Sequence, residues 1–375
     1  MSDDRKLATV RKVSEINPIP DADKIEVLTI DGWQVVAKKG DFKVGDLCIY
    51  FEIDSVLPQI SYWEFMANRK FRIKTIKLRK QISQGLVIPI SHFNQVITDK
   101  RFDSLDLREG KDITQQLGVV KYETPDERAA DYQGLSKKKH NFAIKFLTRF
   151  SWYRKLTKTR SKSFPDWLSK TDEPRVENSI RIINDNKGKT FWISEKIEGQ
   201  SGTYWYKKGF LKYEFGICSR TVRKMPIDGS NWSRVAIQLD IKNKLKKYCK
   251  ANKVNIAIQG EVIAANIQGG IYHNVPDSNV TRPFDFFVFN VYDIDKKKYY
   301  SKTELELFCA YVGLKHVPYL KTIELPSTVA EIVELSKGES VLAKGVLREG
   351  IVIRSEDMSV SFKAVNPNYL LKYDL

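Results

Sequence analysis

The sequence predicts an α+β protein in three parts: an OB-like β-barrel over residues 1–105, a basic connector over 106–165, and a C-terminal domain of antiparallel sheets and helices over 166–375. Three observations support this division. The N-terminal part alternates short apolar-rich runs with Gly, Pro, Asp and Ser punctuation and has no long helical period, as a small barrel does. Residues 137–162 then hold ten Lys or Arg and no acid. From about residue 166 strand patterns return, broken by two stretches of helical period.

Each element has a local reason. KIEVLTI, Asp31-Gly32 and WQVVAKK read as two strands joined by a two-residue hairpin turn. GDLCIYFEI, FRIKTIKL and GLVIPI supply the remaining strands of a five-stranded barrel. In the connector, Phe142, Phe146, Phe150, Trp152 and Tyr153 are interleaved with the basic residues. That mixture suits phosphate contact with stacking on unpaired bases, and the four-residue spacing of the phenylalanines equally suits an amphipathic helix packed on a domain. In the last part, VAIQLDIKNKLKKYCKANK and TVAEIVELSK carry the helical period.

Composition narrows the function classes. A chain of 375 residues exceeds what one core usually serves, and 42% hydrophobic residues exclude global disorder. No apolar run approaches the roughly 18 residues of a membrane helix, and the N-terminus lacks an apolar signal centre, so a soluble intracellular or cytoplasmic protein is expected, with no membrane partner. The four cysteines and four histidines show no metal-ligand spacing. A net charge of +17 favours a polyanionic partner, nucleic acid first, through counterion release.

Candidate chemistry gathers in the last part. FWISEKIEGQ places Lys196 at a strand-to-turn junction, followed by Glu198 and Gly199. AIQGEVI sets Glu261 after a glycine, FDFFVFNVYDI is an aromatic strand, KGVLREGIVIRS sets Glu349 before Gly350, and VSFKAVN sets Lys363 in a last strand. In this order the five segments resemble the nucleotidyl transferase motifs of covalent ligases and capping enzymes. INPIPDADKIEVLTIDGWQVVAKKGDFKVGDLCIYF resembles barrel modules that bind tRNA. With TDEPRVEN upstream of the lysine, SRT at 219–221, and a barrel ahead of the transferase motifs, the sequence is similar to ATP-dependent RNA ligases that carry an N-terminal OB domain.

That resemblance implies an enzyme that seals RNA 3′-hydroxyl and 5′-phosphate ends, whether at a nick in a duplex, at a tRNA break or between free single strands, through a lysyl-AMP and an adenylated RNA. It implies ATP and Mg²⁺ or Mn²⁺, with Lys196 as nucleophile and Glu195 on the adenine amino group. Arg175 and Lys363 would engage phosphates, and Arg220 the ribose or an RNA phosphate. The chemistry accounts for the residue types. An amine attacks phosphorus only when neutral, so positive neighbours, here Lys363 and a metal ion, must lower its proton affinity. Glu198, Glu261 and Glu349 are the candidates for a hydrated metal ion. Phe287 or Phe289, two residues apart on one strand face, would stack on the base. Two departures stand out: Glu198 replaces the family's usual aspartate, and Val365 occupies a position that is often basic.

Three alternatives remain open at this level: a capping guanylyltransferase, a DNA ligase, and a nonenzymatic RNA-binding protein with a degenerate transferase domain. A monomer is expected. The domain order also suggests a division of labour, in which residues from about 166 onward form the lysyl-adenylate alone while the barrel serves RNA.

Overall fold

A computed structural model describes residues 5–98, 107–122 and 164–375, except 171, 210–211, 225–227, 268–269, 274, 277 and 281. The basic run 137–162 and its five aromatics lie outside the described residues. Among the described residues no helix is long and apolar enough to cross a membrane.

The hairpin forms as its sequence requires: β2 (Ile25–Ile30) pairs with β3 (Trp33–Lys38) in register from Ile25↔Lys38 to Ile30↔Trp33. Asp31 takes the left-handed turn at φ 52°. Gly32 serves a different need, because a Cβ there would lie 2.8 Å from the Glu177 Cα of the C-terminal domain. The sheet is completed by β1 (Ala8–Pro18), β4 (Leu47–Phe51) and β5 (Leu86–Pro89) in the order β3-β2-β1-β4-β5. It curls as an OB-like half-barrel around Val10, Leu28, Trp33, Ile49 and Phe51.

Two local expectations need correction. The central strand β1 is not among the five runs read as strands: a bulge between Val13 and Glu15 shifts its pairing with β2, and polar Arg11, Lys12 and Glu15 interrupt its apolar positions. FRIKTIKL is not a strand of this sheet. Only Thr75–Leu78 is extended, in a separate hairpin with Gln81–Gln84, while Phe71 turns left-handed at φ 58°.

The C-terminal domain has two antiparallel sheets. β6 (Thr190–Lys196), β11 (Tyr319–Glu324), β12 (Gly350–Ser355) and β13 (Ser361–Val365) form one in the order β11-β6-β12-β13. The larger sheet contains β7 (Gln200–Lys208), β8 (Tyr213–Cys218), β9 (Ile256–Ala264) and β10 (Phe284–Asp293), in the order β8-β7-β9-β10 with short strands at its margins. The first helical stretch folds as helices Asn231–Gln238 and Ile241–Asn252, separated at Asp240 by a left-handed φ of 50°. With helix Lys302–Val312 they cover one face of the larger sheet through Val235, Leu245 and Phe308. The second stretch, Val329–Ser336, begins with a capping box between Thr328 and Glu331 and packs Ile332 on the smaller sheet. Ile197, Ile263, Phe287 and Leu342 form a further apolar cluster beside Lys196.

The barrel and the C-terminal domain share a core. Val365 and Leu370 of the chain's last strand and helix are buried among barrel residues. Trp33 Nε1 donates to Asn178 Oδ1 at 2.8 Å, and Gly32 N donates to the Glu177 carbonyl at 3.1 Å.

Candidate active site

Strand pairing brings the lysine and a carboxylate together. Lys196, the last residue of β6, lies opposite Gly350, so Glu349 enters β12 beside it. Lys196 Nζ donates to Glu349 Oε1 at 2.5 Å, with the two side chains 25% and 13% exposed. Both glycines of the lysine and Glu349 segments are required by close approach. A Cβ on Gly350 would stand 2.3 Å from the Ala364 carbonyl oxygen, and one on Gly199 would stand 2.5 Å from that of Val262 and 2.9 Å from Glu261 Cγ. Any side chain there would push Glu349 or Glu198 away from its neighbours.

Glu261 lies in β9 between Ser201 of β7 and Phe287 of β10. The Glu198 amide donates to the Tyr272 hydroxyl at 3.0 Å, and its carboxyl faces the Tyr369 hydroxyl and Glu349. Three carboxyl groups therefore crowd one ammonium. Burial opposes the Lys196 charge, but Glu349, Glu198 and Glu261 outweigh it and raise the lysine pKa. Burial and Glu349 push the Glu261 carboxyl up to about 8 against the pull of Lys196, and burial with Glu349 raises Glu198 as well. Attack by the amine requires a lowered lysine pKa, and these three acids act the other way.

An all-carboxylate oxygen set matches a hard divalent cation, and a buried Glu349 Oε2 without a hydrogen-bond partner leaves an acceptor open for one or for its water. Among the described residues no three acidic, His or Cys donors are close enough to hold a bare ion. The arrangement thus fits a cation that retains its waters.

Other candidates surround this centre. Glu195 is 1% exposed; Val341 N donates to its Oε2 at 2.9 Å, whereas its Oε1 is buried without a partner, and burial raises its pKa. Phe287 and Phe289 do share a face of β10. Phe287, 3% exposed, is packed between the sheets beneath Lys315, and Phe289 is half-buried near Arg354. Lys363 projects from β13 of the smaller sheet and Arg220 from the end of β8 of the larger. Asp172 joins them, accepting from Lys363 Nζ at 2.7 Å and from Arg220 Nη2 at 2.6 Å. Burial works against Asp172 ionisation, yet these two cations hold its carboxyl well below the usual range. Arg175 runs beside Lys363 in a short parallel bridge, is 10% exposed at its side chain, and keeps a buried Nη1 without a partner.

Asp172, Tyr272, Tyr369 and Asn366 were not assigned from sequence. TDEPRVEN contains Asp172, but its role depends on a contact 191 residues along the chain. Asn366 reaches the site through the pairing of β13 with β12, and Tyr369 through the helix that follows.

Comparison with known proteins agrees with this architecture. A family profile described as an OB-fold domain matches residues 7–90, and one described as RNA ligase matches residues 189–373. A search of curated protein sequences returned no match. Among solved structures, the chain is similar to Naegleria gruberi RNA ligase with pyrophosphate, at 32% identity and TM-score 0.79, covering 99% of both chains. It is likewise similar to a point mutant of that enzyme without ligand, at 32% identity and TM-score 0.79, covering 99% of this chain and 98% of that one. A mutant with ATP and Mn gives 32% identity and TM-score 0.77 over 97% and 98%. With a half-barrel ahead of the two-sheet domain and that likeness running along nearly the whole of both chains, the protein belongs to the RNA ligase family.

Proposed function

We propose that this protein is an ATP-dependent RNA ligase that joins 3′-hydroxyl and 5′-phosphate ends through a lysyl-adenylate on Lys196. The observation that carries the reading is the Lys196–Glu349 pair, 2.5 Å apart, with Glu198 and Glu261 alongside. In the first step Lys196 Nζ forms a bond to the α-phosphorus of ATP and the bond to the β-phosphate oxygen breaks, releasing pyrophosphate. In the second, an oxygen of the RNA 5′-phosphate displaces the lysine and takes the AMP. In the third, the 3′-hydroxyl attacks that 5′-phosphorus and AMP leaves.

The chain's residues divide this work. Glu349 stands where the lysine proton must go before attack. Glu198, Glu261 and Glu349 would hold a hydrated Mg²⁺ or Mn²⁺. When bound, that ion supplies positive charge that offsets the three carboxylates holding the lysine proton and the charge developing on the α-phosphate. Glu195, with its unpartnered Oε1, would accept the adenine amino group; Phe287 or Phe289 would face the base. Arg175, Lys363 and Arg220 would engage phosphate oxygens, Arg220 also reaching the ribose or the RNA. Lys363 and Arg220 both donate to Asp172. The three-part division 1–105, 106–165 and 166–375 remains our functional map, with a nicked duplex as one RNA substrate and a monomer as the working unit.

Incubating the protein with α-labelled ATP or GTP and magnesium, followed by a denaturing gel, tests the reading. Label from ATP is expected. Label from GTP would mean a capping activity, and no label would mean an RNA-binding scaffold.

The same geometry predicts proton release on metal binding. Glu261 titrates near pH 8 in the protein alone, so below that pH it is mostly protonated and must ionise before it can serve a cation. Affinity for Mg²⁺ should therefore rise with pH up to about 8 and level off above it. Calorimetric titrations at pH 7 in buffers of different ionisation enthalpy should give different heats. Equal heats would rule out a protonated Glu261.

A further inference from the structure

Asp54 belongs to the barrel, whose sequence suggests RNA binding, yet its carboxylate faces Arg175 of the C-terminal domain. Its backbone is left-handed, φ 66°, a conformation that Asp and Asn tolerate better than other side chains. Its amide donates to the Ile73 carbonyl at 2.9 Å, and its carbonyl accepts from Tyr122 N at 2.7 Å. Arg72, stacked 3.7 Å from the Tyr122 ring centroid, donates to Asp54 Oδ1 at 3.0 Å. Arg5 stands 3.6 Å from Oδ2 and also donates to Glu52. Arg72 and Arg5 of the barrel thus hold both carboxylate oxygens.

The third cation around Asp54 comes from the other domain. Arg175 Nη2 lies 3.9 Å from Asp54 Oδ2, while its Nη1 is buried with no partner. One end of the guanidinium is thereby anchored and the other left as a free donor. Buried unpartnered donors are costly, and the guanidinium is held in this pose by two barrel groups, the Trp33 ring 5.8 Å away and the charged Asp54. Burial opposes ionisation of Asp54, but Arg175, Arg5 and Arg72 lower its pKa, so the anchor is charged at neutral pH.

We propose that Asp54 is a positioning residue for lysine adenylation: from the barrel it orients Arg175 so that the free Nη1 meets a phosphate oxygen of ATP. The inference rests on the reading of Arg175 as a phosphate ligand. It makes the barrel part of the nucleotide-handling machinery rather than an RNA platform alone. A diagonal distance of 3.9 Å is an ion pair without a hydrogen bond, so the effect is one of orientation and field.

The test is a mutant cycle on the full chain. Asp54→Asn suits it because asparagine accepts the left-handed backbone. The expected result is a rise of about 5- to 50-fold in the KM for ATP in lysyl-adenylate formation, with kcat changed less than threefold. Sealing of pre-adenylated RNA, which needs no ATP, should change much less and doubles as a control for folding. Asp54→Asn combined with Arg175→Ala should be no worse than Arg175→Ala alone, because the anchor has nothing left to orient. Should Asp54→Asn lose both activities, Asp54→Glu, which keeps the charge, is expected to recover adenylation and sealing together; failure to recover adenylation would overturn the proposal. Independent, additive losses in the cycle would overturn it, as would an unchanged KM in Asp54→Asn when Arg175→Ala raises it. If Arg175→Ala itself leaves adenylation intact, the phosphate role of Arg175 falls first, and the proposal with it.

Discussion

Replacing Lys196 by alanine or by arginine abolishes labelling of the protein with α-labelled ATP, a loss on the order of 10³-fold or more. Alanine removes the nucleophile. Arginine keeps a positive charge beside Glu349 but cannot give up its proton, so the carboxylates that already favour a protonated Lys196 would hold it permanently charged. The contrast between steps makes the test sharper. Pre-adenylated RNA already carries the AMP, so its sealing does not need the lysine as nucleophile and is expected to survive in part in Lys196→Ala. Covalent label on Lys196→Ala would move the nucleophile elsewhere. Loss of adenylation in Lys196→Ala but not in Lys196→Arg would instead give the lysine a purely electrostatic role.

How much of this site could be read from the sequence depends on the kind of constraint each residue obeys. Lys196, Glu198, Glu261 and Glu349 lie on or beside strands whose glycines are needed for close approach, and such glycines leave a mark in the sequence at fixed spacing. The pair KIEVLTI and WQVVAKK was legible from the Asp31-Gly32 turn that joins them. β1 was not, because a bulge interrupts its period of two, and neither was the hairpin at Thr75–Leu78, which pairs only locally. The electrostatics were only half legible. A lysine nucleophile implies neighbouring positive charge, but whether three acids or Lys363 dominate its surroundings depends on distances between strands far apart in sequence. Lys363 in fact faces Asp172 first.

The core shared by the barrel and the last helix bears on the expected division of labour between domains, and it sets the second large effect. A chain beginning at residue 164 is predicted to lose lysyl-adenylate formation, although every transferase motif remains. The last helix, Pro367–Lys372, is the reason. Leu370 is 5% exposed and Val365 3% exposed, both among barrel residues, and Leu375 and Asp374 are held by Thr75 N and Lys74 of the barrel. Losing the burial of one such leucine costs about 2–5 kcal/mol, a large share of the ~5–15 kcal/mol that holds a domain folded.

The same helix is fastened to the catalytic centre. Asn366, fully buried, caps it and donates its amide N–H to the Glu349 carbonyl at 2.8 Å, while its Nδ2 donates to the Arg348 carbonyl at 3.0 Å. Tyr369 places its hydroxyl toward Glu198. When the barrel is absent, the helix loses its seat, the backbone at Glu349 loses its clamp, and Arg175 loses Asp54. Leu370→Asp in the full chain should reproduce the defect without deleting anything, by placing a charge in the shared core. Adenylation rates at saturating ATP, measured beside circular dichroism for both proteins, decide the matter. A folded chain from residue 164 that adenylates as fast as the full protein would show that the barrel's contacts to the last helix do not support the site.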